Sequence, residues 1–211
     1  MNYEIINSGS DGNAVVIEKN ILIDCGVSFS KLRKYYQNLK IVLLTHIHRD
    51  HFNKMTIKKL ANERPTLRFA CCEWLVKDLI DCSVDKRNID VLELGKRYSY
   101  SEFSVEPIVL HHDVPNCGYK IAINNKKMIY ATDTNSLEHI EAKGFNLYLI
   151  EGNYTIEELR KRAIEKENNG VYAYEHRVET THLSKEAANE WLVNNMSNDS
   201  IFVYMHEHKE R

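Results

Sequence analysis

The chain has 211 residues, 43% of them hydrophobic, and a formal net charge of −2. This length suits one domain with a sizeable core, and no Pro-, Gly- or Ser-rich stretch divides the sequence, so we expect a single domain over residues 1–211. The slightly acidic charge excludes a uniformly basic surface, so any contact with nucleic acid has to come from a local patch.

The sequence carries no sign of export. Residues Met1–Ile6 show no basic region, apolar run or cleavage site of a secretory signal, and apolar runs such as Ile41–Leu44 are too short to cross a bilayer. The cysteines are odd in number and lack CxxC spacing, which is typical of reduced thiols: Cys25, Cys71, Cys72, Cys82 and Cys117. We therefore expect a cytoplasmic protein without a membrane anchor.

Apolar segments bounded by turn residues alternate with helical patterns along the chain. The predicted strands are Tyr3–Ile6, Ala14–Glu18, Ile21–Asp24, Lys40–Leu44, Leu67–Cys71, Ile89–Leu94, Arg97–Tyr100, Phe103–Leu110, Gly118–Ile123, Met128–Thr132, Leu147–Ile150 and Ile201–Tyr204. The predicted helices are Ser30–Gln37, Met55–Glu63, Trp74–Asp81, Ile156–Asn168 and Ser184–Met196. Strand sets each followed by helices predict an α/β fold with two packed sheets and helices outside them.

The segment Thr45–His51 directly follows a predicted buried strand and is dense in ligand-type side chains: His46, His48, Asp50 and His51. His46 and His48 alternate along an extended segment, but in a tight loop both can turn toward one cation while Asp50 and His51 meet a second. Nitrogen and oxygen ligands together suit zinc, with manganese or iron as alternatives. A solvated polar loop is the competing interpretation, and the convergence of so many ligand types argues against it.

A dinuclear centre needs about three further ligands, and strand ends at one sheet edge can hold them rigidly. Three predicted strands end in suitable residues: Phe103–Leu110 at His111-His112-Asp113, Met128–Thr132 at Asp133-Thr134, and Ile201–Tyr204 at His206-Glu207-His208. A lone His at a strand end is usually only solvated or hydrogen-bonded, but three such ends after this motif favour metal ligands.

These motifs, in this order along the full chain, resemble the metallo-β-lactamase superfamily. Further features resemble one branch of it, the bacterial YycJ (WalJ) type proteins on the ribonuclease Z and ribonuclease J side: Ser8–Asn13, Leu22–Gly26, His112–Pro115, Ala131–Thr134, Glu151–Asn153 and Thr181–Ser184. The resemblance implies an αβ/βα four-layer sandwich, in which two mixed sheets are flanked by helices.

The resemblance also implies seven ligands for two divalent ions, with zinc expected and manganese as the alternative: His46, His48 and His112 for the first ion, Asp50, His51 and His206 for the second, and Asp133 bridging both. His112 is preferred to His111 because the family pattern has His-Asp before the proline. The family's last motif usually continues with Leu-Ser, whereas this chain continues with Glu207-His208, so His208 remains an alternative to His206.

Residues beyond the ligands have two interpretations each. Asp24 ends a strand and could fix the tautomer of a ligand imidazole or merely start a turn. The turn Ser8–Asn13 could line the cleft with N–H groups or simply close a hairpin. His182 resembles the His beside the scissile phosphate in the nuclease branch, and its alternative is a surface loop His. Glu151 and Asn153 could orient His182 or cap the following helix.

The expected activity is phosphodiester hydrolysis on DNA or RNA, with a hydroxide shared by the two ions as nucleophile and His182 protonating the leaving oxygen. The expected catalytic residues are Asp50, Asp133, Glu151 and His182. A thioesterase or lactonase using the same dinuclear site is one alternative, since a fold does not fix the substrate. A non-catalytic binding module, in which the metals only stabilise the fold, is the alternative from another class.

Overall fold

The computed structural model describes residues 1–170, 172 and 175–207. The chain forms two compact units, Met1–Pro107 and Ile108–Arg211, and the prediction of a single domain stays a prediction. As the sequence predicts, the fold is α/β, with two mixed sheets flanked by helices. No helix in the described part of the chain has the length and apolar character needed to span a bilayer.

The first sheet lies in the first unit, and its six strands follow the order of the chain. They are β1 Tyr3–Asn7, β2 Ala14–Ile17, β3 Ile21–Ile23, β4 Ile41–Leu44, β5 Arg68–Cys71 and β6 Ile89–Val91. Pairing is antiparallel from β1 to β3 and parallel from β3 to β6. The helices that connect the parallel strands are α1 Phe29–Leu32, α2 Lys54–Glu63 and α3 Val76–Asp81.

The parallel part of this sheet determines where polar residues meet. Strands β3 and β4 are buried along their whole length, which explains their unbroken apolar sequence. Because β3 and β4 are parallel, their carboxyl ends lie at one edge, where Asp24 follows β3 and Thr45 follows β4. The strand order thus brings Asp24 beside the segment Thr45–His51.

The second sheet also has six strands: β7 Tyr98–Ser99, β8 Phe103–Leu110, β9 Asn116–Ile123, β10 Lys126–Ala131, β11 Leu147–Glu151 and β12 Ile201–Met205. Its order is β12-β11-β10-β9-β8-β7, with β10, β11 and β12 mutually parallel. The helices after β11 are α4 Ile156–Asn168, α5 Glu175–Thr181 and α6 Lys185–Asn195. The three parallel strands end at one edge, which carries Asp133, Glu151 and His206.

Most predicted elements are confirmed, with ends displaced by a few residues. The predicted hairpin between β9 and β10 turns at Asn124 and Asn125, which both have positive φ, as a type I′ turn requires. The predicted helix Ser30–Gln37 is wrong in length, because regular helix stops at Leu32 and separate turns follow. Helix α5 was not predicted, since its sequence EHRVETT has one apolar residue and three β-branched ones.

All five cysteines are free and buried, as expected of core thiols: Cys25, Cys71, Cys72, Cys82 and Cys117. Burial raises the pKa of the Cys25 thiol, and burial together with the neighbouring Cys72 raises the pKa of Cys71 to about 12. Thiols held in their protonated form are poor nucleophiles, so these side chains belong to the core rather than to a reactive site.

Gly26 allows two loops of the first unit to touch. A Cβ at this position would lie 1.6 Å from the carbonyl oxygen of Asp50, and the Gly26 N–H donates to the Asn13 carbonyl at 2.9 Å. We expect Gly26→Ala to lower the free energy of unfolding by about 3 kcal/mol, because two backbone segments have to separate.

Urea unfolding measures this effect, with Gly95→Ala as the control. Gly95 has a φ of 76° but open space around its Cβ position, so alanine there has only the backbone strain of about 1–2 kcal/mol. Equal losses in both variants would show that the close approach at Gly26 does not matter.

Candidate metal centre and catalytic groups

A buried carboxylate organises the histidines of the first unit. Asp24 Oδ2 accepts from Nδ1 of His51 at 2.7 Å, while Oδ1 accepts from the N–H and hydroxyl of Thr45 at 3.0 and 2.9 Å. The Thr45 hydroxyl oxygen in turn lies 2.9 Å from Nδ1 of His46 and can accept a hydrogen bond from it. Asp24 therefore fixes His51 directly and His46 through Thr45, with Nδ1 protonated and Nε2 carrying the lone pair that binds metals.

The segment after β4 is the tight loop that the sequence predicts. The carbonyl of His48 accepts from the N–H groups of His51 and Phe52 at 2.9 and 2.7 Å. The ring of His46 lies 4.8 Å from that of His48 and 4.2 Å from that of His51, between centroids. Asp50 Oδ2 lies 3.6 Å from His51 Nε2. The loop therefore gathers nitrogen and oxygen donors of the types that zinc accepts.

In the second unit, Asp133 lies among three imidazoles. Its side chain is 3% exposed, and its Oδ1 lies 3.4 Å from His206 Nε2, 3.9 Å from His112 Nε2 and 3.9 Å from His182 Nδ1. His112, rather than the exposed His111, faces this carboxylate. Burial lowers the pKa of His112, which favours the neutral imidazole that a metal needs.

Glu151 and His182 form a hydrogen-bonded pair beside Asp133. Oε1 of the fully buried Glu151 lies 2.6 Å from His182 Nδ1, and Oε2 accepts the N–H of Thr134 at 2.9 Å. Burial opposes the charged form of His182, but the hydrogen bond and charge of Glu151 outweigh it, so the pKa of His182 is raised above its usual value. The ring of His182 stacks on that of His206, with centroids 5.2 Å apart.

His206 is held by Asn153. The Asn153 amide donates to the His206 carbonyl at 2.7 Å and lies 3.1 Å from Nδ1 of its ring, whereas the cap of α4 is Thr155. Ligand atoms of four residues all lie within 4.8 Å of one another: Asp133, Glu151, His182 and His206. Because Glu151 and His182 are hydrogen-bonded to each other, Asp133 and His206 are the members of this group that best suit a divalent cation. The alternative ligand His208 lies outside the described residues.

Sequence reasoning did not single out Asn116, Thr45 or the side chain of Asn13. Asn116 donates to the carbonyls of Thr132 and Asp133, at 3.0 and 2.7 Å, and so supports the left-handed backbone of Asp133, where φ is 58°. Asn13 ends the turn between β1 and β2, which does close a hairpin. Its amide nevertheless reaches His51, a contact that turn chemistry alone did not suggest.

Asp24→Asn tests the carboxylate that orients the histidines. An amide of the same size has only one oxygen, so it cannot accept from both His51 and Thr45 as the carboxylate does, and we expect metal affinity to fall by about 10- to 100-fold. Competition titration with a chromophoric chelator measures the affinity, with Asp81→Asn on the exposed end of α3 as the control. Unchanged affinity would limit Asp24 to a role in the turn.

Fold and donor set together point to one class of protein. The sequence matches a family model described as "Beta-lactamase superfamily domain" over residues 19–206. The chain therefore belongs to the metallo-β-lactamase superfamily, whose members are generally hydrolases. No curated protein matches the sequence significantly.

Solved structures of the same fold include three distant neighbours. The metallo-β-lactamase fold protein YhfI from Bacillus subtilis has 15% identity and a TM-score of 0.74, covering 99% of this chain and 87% of its own. The short form of human tRNase Z has 15% identity and a TM-score of 0.72, covering 98% and 93%. Zinc-bound PqqB from Methylobacterium extorquens has 12% identity and a TM-score of 0.68, covering 98% and 89%. The resemblance to YycJ-type proteins in particular stays a prediction.

Proposed function

We propose that this chain is a dinuclear metal-dependent phosphodiesterase that cleaves nucleic acid. In this proposal the ligands divide as the family pattern implies: His46, His48 and His112 on one ion, Asp50, His51 and His206 on the other, and Asp133 on both. Support comes from each unit taken by itself: in the first unit Asp24 and Thr45 orient the imidazoles of His51 and His46, and in the second unit Asp133 lies beside His206. The zinc in the PqqB neighbour makes zinc the first ion to test.

When bound, the ions would activate a water molecule and neutralise charge on the phosphoryl oxygens. The protein's own groups supply the remaining chemistry. Asp24 and Thr45 keep the imidazoles of His51 and His46 in the tautomer that leaves Nε2 available. Asn116 holds the backbone of Asp133 through two carbonyl groups.

The pair of His182 and Glu151 is the observation that carries the proposal. Glu151 holds the proton on His182 Nδ1, and its charge favours the imidazolium form, so His182 has a proton to give. The side chain of His182 is 17% exposed, so it is accessible to a substrate while its partner is buried. This arrangement suits a general acid that protonates a leaving group.

A general acid matters most for a basic leaving group. The thiol released from a thioester has a pKa of about 8.5 and can leave as thiolate, whereas a ribose oxygen leaves as a much more basic alkoxide. The imidazolium of His182 also attracts an anionic phosphodiester more strongly than a neutral lactone. The name of the tRNase Z neighbour indicates an RNA substrate for that protein, which makes RNA the first nucleic acid to test here.

The test compares substrates on one metal-loaded preparation. We expect bound metal near two ions per chain, cleavage of end-labelled RNA or DNA, and slower or no hydrolysis of thioester and lactone substrates. Chelator-treated protein is the control and should lose the activity, which added zinc or manganese restores. Fast thioester hydrolysis without nucleic acid cleavage would support the thioesterase alternative, and tight metal binding without any hydrolysis would support the binding module.

A further inference from the structure

Asn13 contacts two of the proposed ligands from the turn before β2. The residue is fully buried, and its Oδ1 accepts the N–H of Gly9 at 2.9 Å. That bond fixes which end of the amide carries the hydrogens. Nδ2 then lies 2.8 Å from Nε2 of His51, 3.2 Å from the carbonyl oxygen of Gly9, and 3.3 Å from both the carbonyl oxygen and Oδ2 of Asp50.

The contact with His51 involves the nitrogen that a metal would use. Because His51 Nδ1 donates to Asp24, Nε2 is the acceptor, and the Asn13 N–H donates into its lone pair. A cation on Nε2 and this hydrogen bond exclude each other. Of the three other acceptors, Oδ2 of Asp50 belongs to a carboxylate and lies near enough to receive the displaced N–H.

We propose that Asn13 is a positioning residue that holds His51 and Asp50 ready for the ion they share. This inference rests on the proposed function in assigning both residues to one ion. Without the ion, Asn13 donates to His51 Nε2; with the ion, it donates to the Asp50 carboxylate. A hydrogen bond to a carboxylate is stronger than one to a neutral imidazole, so the exchange favours the ion-bound state.

Two substitutions of Asn13 should act in opposite directions on metal affinity. Asn13→Ala removes the donor, and we expect the affinity of one of the two ions to fall by about 10-fold. Asn13→Asp keeps the acceptor for the Gly9 N–H but places a second carboxylate beside Asp50, so the same affinity should rise by about 10-fold or more. The metal-free Asp variant should be less stable than wild type, because the two carboxylates then repel each other.

Stepwise zinc affinities from chelator competition and thermal unfolding of the metal-free protein provide the test. Asn7→Ala is the matched control, because Asn7 donates to the Gly12 carbonyl in the same turn and contacts neither His51 nor Asp50 in any described bond. The expected result is opposite shifts for Asn13→Ala and Asn13→Asp, confined to one zinc step, and no shift for Asn7→Ala.

Three results would overturn the inference: equal shifts in both zinc steps, losses of affinity in both Asn13 variants, or no second zinc step in wild type. The last result would also contradict the dinuclear proposal. If wild type binds two ions and the opposite shifts appear but no phosphodiester is cleaved, the role of Asn13 stands and the proposed substrate class fails.

Discussion

Replacing His182 by alanine is expected to slow cleavage of a phosphodiester with an alkoxide leaving group by about 10²- to 10⁴-fold, the range that a general acid contributes. Bound metal should stay at the wild-type level, because the ring nitrogen nearest to Asp133 is the one that contacts Glu151. A substrate that releases p-nitrophenolate needs little protonation, so its cleavage should slow far less.

Rates on RNA and on a p-nitrophenyl phosphodiester, with metal content measured on the same samples, check this expectation. His139→Ala is the control, since His139 is exposed and its ring lies against that of His111 rather than in the cluster around Asp133. Equal loss on both substrates would contradict a general-acid role. Loss of metal would instead make His182 a ligand.

Much of the first unit could be predicted from the sequence, because local sequence patterns determine its strands and the loop after β4. Strands β3 and β4 read as unbroken apolar runs, which is typical of buried parallel strands, and Thr45–His51 follows β4 directly. Parallel pairing brings Asp24 to the same edge, where its carboxylate accepts a hydrogen bond from the His51 imidazole.

Contacts between residues that are distant in sequence could not be predicted in this way. Nothing near Asn13 in the sequence indicates that its amide reaches His51, 38 residues later. That contact depends on backbone hydrogen bonds between three loops, at residues 8–13, 24–28 and 45–53. Asn153 was considered as a partner of His182 but contacts His206, 53 residues later. Helix α5 has weak helix propensity, and the hydrogen bond from His112 Nδ1 to the Thr181 carbonyl at its end shows that tertiary contacts support it.

Three proposed site residues share an unusual backbone conformation. Asp24, Asp133 and His206 each follow a parallel strand and have φ values of 57°, 58° and 54°. Such a conformation disfavours most L-residues, although Asp and His tolerate it better than β-branched ones. Non-glycine residues held there cluster at functional sites, where the surrounding structure supports the strain. The shared backbone conformation at these three strand ends therefore supports the proposal that they carry site residues.

Asp133→Asn is expected to abolish tight binding of at least one ion and to slow phosphodiester cleavage by about 10³-fold or more, which corresponds to several kcal/mol of lost transition-state stabilisation. The amide has the shape of the carboxylate but lacks the charge that two cations would share. Metal content and single-turnover cleavage rates measure both effects, with the exposed Asp199→Asn as the control.

The same variant separates a metal ligand from a residue needed only for folding. The Asp133 carboxylate is buried, and burying a charge costs more free energy than burying an amide. Asn also tolerates the left-handed backbone at this position well. Metal-free Asp133→Asn should therefore unfold at the wild-type temperature or above it, while the wild type alone gains stability when zinc is added. A metal-free variant that melts well below wild type would indicate that Asp133 supports the fold through its own hydrogen bonds.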